Sequence, residues 1–128
     1  MDKIERVLWA TSGITLIQIM VGFYLSQIAN PANSEILILH ISLGVLLFIM
    51  SILSYVYTKN IIRLAHLAIV NILLIVITGI IGSGFIILKT NSFYSTYIPY
   101  LHMLLAIGII SNYAVMLGIK RTINSVDK

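Results

Sequence analysis

Two histidines carry the strongest chemical signal in this sequence. His40 and His102 are each followed four residues later by a small residue, Gly44 and Ala106 respectively. A neutral imidazole nitrogen is a good metal ligand, and two imidazoles can fill both axial positions of a heme iron. His66 is the third histidine, and cysteine is absent. The missing thiols exclude disulfides, thiolate metal sites, iron–sulfur clusters, covalent c-type heme attachment and cysteine nucleophiles. Any metal chemistry must rest on His, Met or oxygen ligands.

What must position those histidines is set by composition. Of 128 residues 59% are hydrophobic and 9% charged, and the mean hydropathy is +1.05. A soluble domain of this size cannot bury so much apolar side chain, so the composition predicts an integral membrane protein. Crossing roughly 30 Å of hydrocarbon takes about 20 residues at 1.5 Å per residue, which leaves room for four spans and no separate soluble domain. The uncharged runs place helices at about 7–28, 36–58, 61–88 and 97–119, a single all-α four-helix bundle over 1–128. Ala29-Asn30-Pro31-Ala32-Asn33-Ser34 reads as a turn in which Pro31 stops the first helix and Asn33 or Ser34 caps the second. Thr58-Lys59-Asn60 is a tight second turn, and Lys89 to Thr96 a polar third loop.

The net charge of +4 reports topology, not nucleic-acid binding. Lys3, Arg6, Lys59, Arg63, Lys120, Arg121 and Lys128 fall on one side of the four spans and Lys89 alone on the other, so both termini are expected in the cytoplasm. The first apolar run is about twice the length of a signal-peptide core, and Asp2 and Glu5 neutralise Lys3 and Arg6 before it. It reads as a retained helix.

Shifting the sequence on itself by 62 pairs Gly22-Phe23 with Gly84-Phe85, Leu39-His40 with Leu101-His102, and Gly44 with Ala106. That pattern suggests a helical hairpin repeated in the same orientation about an axis along the membrane normal. Helices two and four then run in parallel, with His40 five residues after Glu35 and His102 five after Tyr97, so the histidines lie at one depth near the outer surface. Gly22, Gly44, Gly84 and Ala106 ring that depth with small side chains, as a flat porphyrin requires. A bis-His heme b with His40 and His102 as axial ligands is the expectation.

His66 lies near the inner end of helix three, apart from the other two; it reads as a buried or interfacial histidine, with a role in quinone protonation as the sharper alternative. A second heme would need Met50 or Met116. Asn71 and Asn112 are expected to bond across helices three and four, with Gln18 joining that inner polar layer, and Tyr94, Tyr97 and Tyr100 to anchor at the headgroup level.

Two histidines on parallel second and fourth helices, in a four-helix unit with a hairpin repeat, resemble one half of heme A synthase, the eight-helix enzyme that matures heme for terminal oxidases. The resemblance covers all four helices, and Thr78-Gly79 with Gly82-Ser83-Gly84 is loosely similar to the Gly-rich end of a first helix in that family. It implies that His40 and His102 are the ligands. The family's acidic residue three before the first ligand is Leu37 here, its basic residue just after is Ile41, and the cysteine pair of many bacterial members has no counterpart.

Three functions follow. One is a small b-type cytochrome of the plasma membrane, a subunit or partner of a respiratory complex or a homo-oligomer, with lipid around it and quinol as a plausible donor. Another is a half-length heme A synthase-like enzyme or oxidase-assembly factor, which needs a carboxylate near the heme and has only Glu35 at that level. The third is a cofactor-free structural subunit. A transporter or channel is disfavoured, because the spans hold no charged residue and no helix is expected to be broken by an interior proline.

Overall fold

The computed structural model describes residues 1–28, 34–87 and 92–126. It consists of α1 (Lys3–Ser26), α2 (Glu35–Thr58), α3 (Ile62–Ile87) and α4 (Ser92–Val126). All four are long and apolar enough to cross a membrane. Caps set two of the starts. Asp2 accepts the Glu5 backbone N–H at 2.9 Å, and Ser34 accepts that of Leu37 at 3.2 Å, as a short side-chain oxygen at the N-cap does for an orphan donor. Ser34 is thus the cap anticipated for α2, whereas the Pro31 stop and Lys89 lie outside the described residues. The polar third loop is shorter than expected. Phe93 to Thr96 are already helical, so Pro99 falls inside α4, where its ring denies the Ser95 carbonyl the usual helical donor.

Each helix packs against its sequence neighbours, and α1 closes the ring against α4, leaving α1 opposite α3 and α2 opposite α4. Both termini and the α2–α3 turn share one end, here the terminal end; the other is the distal end. Burial reveals the repeat directly. A shift of 62 carries buried Leu47, Ser51, Ser54 and Thr58 of α2 onto buried Ile109, Tyr113, Met116 and Lys120 of α4. For the other two helices the shift is 60: Glu5, Leu8, Thr11 and Thr15 of α1 map onto Ala65, Ala68, Asn71 and Ile75 of α3, all buried. The second hairpin therefore has two more residues between its halves than the first. The Gly22-Phe23 to Gly84-Phe85 match is a coincidence of composition, two residues out of register.

The interior is rich in polar side chains, while many large apolar ones lie on outward faces. Among the largest fully buried side chains are Tyr113, Asn71, Thr11, Thr15, Thr58, Ser51 and Ser54. Most hydroxyls return their hydrogen to a carbonyl four residues back, as Thr11 does to Val7 at 2.7 Å and Thr15 to Thr11 at 2.8 Å. These small residues allow close helix approach, with Thr11 Oγ1 and Ser54 Oγ 3.3 Å apart across α1 and α2. Asn112 Nδ2 donates to Asn71 Oδ1 and to the Leu67 carbonyl, both at 2.9 Å, which is the expected α3–α4 link. Asn71 Nδ2 in turn reaches Met116 Sδ at 3.8 Å. At the terminal end Lys120 pairs with Asp2 at 2.8 Å, and Arg121 contacts Glu5 at 3.3 Å while lying over the Trp9 ring.

Candidate functional site: a level histidine pair

His40 sits little more than a turn into α2 and His102 lies on the diagonally opposite α4. Their equivalence under the 62-residue shift places them in one layer of the bundle near the distal end. The two imidazole rings face across the interior with centroids 6.3 Å apart and planes inclined by 48°. Each ring is backed by a glycine on the preceding helix. A Cβ built on Gly22 would stand 2.9 Å from His40 Cε1, and one built on Gly82 would stand 2.9 Å from His102 Cε1. Real Cβ atoms do not approach that closely, so α1 and α3 need glycine at these two positions for the imidazoles to lie where they do.

The symmetric residue is therefore Gly82, not Gly84. Gly84 instead lies under the Tyr94 hydroxyl, which bonds the Ile81 carbonyl and ties the start of α4 to the end of α3. Tyr94 is consequently half-buried, while Tyr97 and Tyr100 are exposed as anchors would be. Gly44 lies beside Gln18, with a Cβ there 3.3 Å from Gln18 Nε2. Ala106 occupies the equivalent place on α4 and is half-buried.

Gln18 belongs to this layer rather than to the inner asparagine layer. Its amide nitrogen donates to the His40 carbonyl at 3.0 Å and lies 3.4 Å from His40 Nε2. The bond to the carbonyl holds the His40 backbone; a second bond to Nε2 would use the ring's one lone pair, so a His40 that ligates a metal keeps only the backbone bond. The position equivalent to Gln18 under the 60-residue shift is Thr78, and the His102 imidazole bonds the Thr78 backbone. The repeat thus gives each histidine a partner one turn below its glycine, a side chain on α1 and a carbonyl on α3. Gln18 was legible only through the correct register, since 60 residues separate it from Thr78.

The donor set narrows what such a pair can hold. Among the described residues no three His, Cys, Asp or Glu side chains come together. Two opposed imidazoles instead suit an ion that brings its own equatorial ligands. The ring centres are 6.3 Å apart, about what two metal–imidazole bonds span, but the nitrogen-bearing edge of each ring lies against the glycine of the neighbouring helix, so both rings would have to turn to share one ion. His40 Nδ1 is buried without a hydrogen bond, an orphaned polar atom whose cost a bound group facing the ring can relieve. Two level imidazoles in a chain without thiols are the residue types that a bis-His heme takes.

The other candidates lie elsewhere. His66 is exposed on α3 near the terminal end. Met116 is fully buried against Asn71, without a histidine beside it, and Met50 is half-buried on α2. Glu35 is exposed at the first position of α2. Compared with protein-family models, curated proteins and solved structures, the chain matches none.

Proposed function

We propose that this chain is a small b-type cytochrome of the plasma membrane, with one heme b held between His40 and His102. The observation that carries the reading is the pair itself: two imidazoles at one level, 6.3 Å apart, each seated on a glycine of the neighbouring helix. His40 and His102 would hold the heme, which when bound would supply single-electron exchange.

The chain's own residues orient and protect. Gly22 and Gly82 admit the rings, Gln18 fixes the His40 backbone, and the Thr78 backbone holds His102. Gly44 and Ala106, a turn along α2 and α4, keep the neighbouring layer narrow in side chain. Lys3, Arg6, Lys59, Arg63, Lys120 and Arg121 all lie at the terminal end, which by the positive-inside bias supports a cytoplasmic terminal end and, with it, a histidine pair in the outer leaflet. The chain passes electrons as a subunit or partner of a respiratory complex, with quinol as the donor class.

The test is the reduced-minus-oxidised visible spectrum of protein purified in mild detergent from heme-replete membranes. A low-spin b-type α band at one heme per chain is the expected result. A colourless preparation would remove the reading in favour of a structural subunit.

A further inference from the structure

A groove of about 560 Å³ opens at the terminal end, where the α2–α3 turn meets the last turns of α4. Asn60, Ile61, Ile62 and Arg63 form one wall; Ile119, Thr122 and Ile123 form the other. Four isoleucines thus line a groove whose one charged lining residue is Arg63, with no carboxylate among those residues. The basic side chains around it are not equivalent. Lys120 is neutralised by Asp2 at 2.8 Å and Arg121 faces Glu5 at 3.3 Å, whereas Arg63 forms no ion pair among the described residues.

An uncompensated guanidinium above apolar walls, at the end of membrane-length helices, is complementary to one kind of molecule. A phosphate with acyl chains attached satisfies both parts, because Arg forks onto phosphate oxygens while the isoleucines meet hydrocarbon. Thr122 Oγ1 donates its hydrogen to the Gly118 carbonyl at 3.1 Å and so offers lone pairs to a headgroup hydroxyl. A choline headgroup would instead add a second cation beside Arg63. We propose that this groove binds an anionic phospholipid of the cytoplasmic leaflet, with Arg63 on the phosphate and Ile61, Ile62, Ile119 and Ile123 along the upper acyl chain. The proposal rests on the membrane reading and not on the heme.

The experiment is native mass spectrometry of the full chain released from detergent micelles containing equal phosphatidylglycerol and phosphatidylcholine. The unaltered protein should retain phosphatidylglycerol about fivefold to tenfold over phosphatidylcholine, as one arginine–phosphate contact near a membrane surface provides. Arg63→Gln should bring that ratio near one, Lys59→Gln should leave it unchanged, and Ile123→Trp should displace the lipid by filling the groove with charge intact. Equal retention of the two lipids, equal effects of Arg63→Gln and Lys59→Gln, or displacement of phosphatidylglycerol by millimolar inorganic phosphate would each overturn the proposal. Whether the chain stays with the membrane fraction under alkaline wash tests the membrane reading separately.

Discussion

Adding one methyl group at Gly22 probes the histidine layer without touching a histidine. In Gly22→Ala the new Cβ would stand 2.9 Å from His40 Cε1, about half an ångström closer than ordinary contact. Gln18 donates to the His40 backbone carbonyl at 3.0 Å and so holds α1 against α2, which leaves the ring itself to give way. Overpacking of this kind costs about 1–3 kcal/mol, against about 1 kcal/mol gained from the better helix propensity of alanine. Gly82→Ala meets the same 2.9 Å contact with His102 and should cost as much. Gly13→Ala and Gly118→Ala have nothing within 4 Å of the new Cβ and should be neutral or stabilising. The two pairs should therefore separate by about 1–3 kcal/mol in unfolding by SDS in mixed micelles, followed through Trp9, the chain's single tryptophan. Indistinguishable curves for Gly22→Ala and Gly13→Ala would refute the glycine-seated geometry, and a large difference between Gly22→Ala and Gly82→Ala would refute the twofold repeat.

Two further perturbations test the rest of the bundle. Asn112→Leu removes the bonds to Asn71 and the Leu67 carbonyl and should destabilise the same transition by about 0.6–2 kcal/mol; an unchanged midpoint would mean that the α3–α4 link contributes nothing. Asp2 sits outside the helices' apolar spans, and the Glu5 backbone N–H, then the Lys120 ammonium, hold its carboxyl below the usual aspartate range. Its stabilising effect is fully present above the unfolded value of about 4 and is lost as pH falls through the lower folded value. Partial exposure to solvent keeps the effect small, so unfolding should steepen slightly in acid below about pH 4 and Asp2→Asn should flatten that dependence.

Much of the fold is legible in the sequence because it depends on long apolar runs interrupted by few polar residues. The four helices, the Ser34 cap, the Asn71–Asn112 link and the shared level of His40 and His102 all follow from such contrasts. Register between α1 and α3 does not. Both outward-facing and buried positions accept Ile and Leu, so apolar periodicity gives little information about which face is inside, and a Gly-Phe match two residues out of register prevails over the Gly22–Gly82 equivalence. The signal that finds the inner face is the opposite one: Thr11, Thr15, Ser51, Ser54 and Thr58 recur at three- and four-residue spacing on the buried side. Gln18 and Thr78 emerge only once that register is corrected. The early start of α4 is hidden because the polar run Lys89 to Thr96 reads as loop, whereas the Tyr94 contact with Ile81 and Gly84 ties that first turn to α3.

The central claim is that His40 and His102 ligate one heme together. Electron paramagnetic resonance of the oxidised protein, beside His40→Ala and His102→Ala, tests it most directly. The account predicts a low-spin bis-imidazole ferric signal in the unaltered protein that either single substitution abolishes. A low-spin bis-imidazole signal that survives in either variant would contradict it.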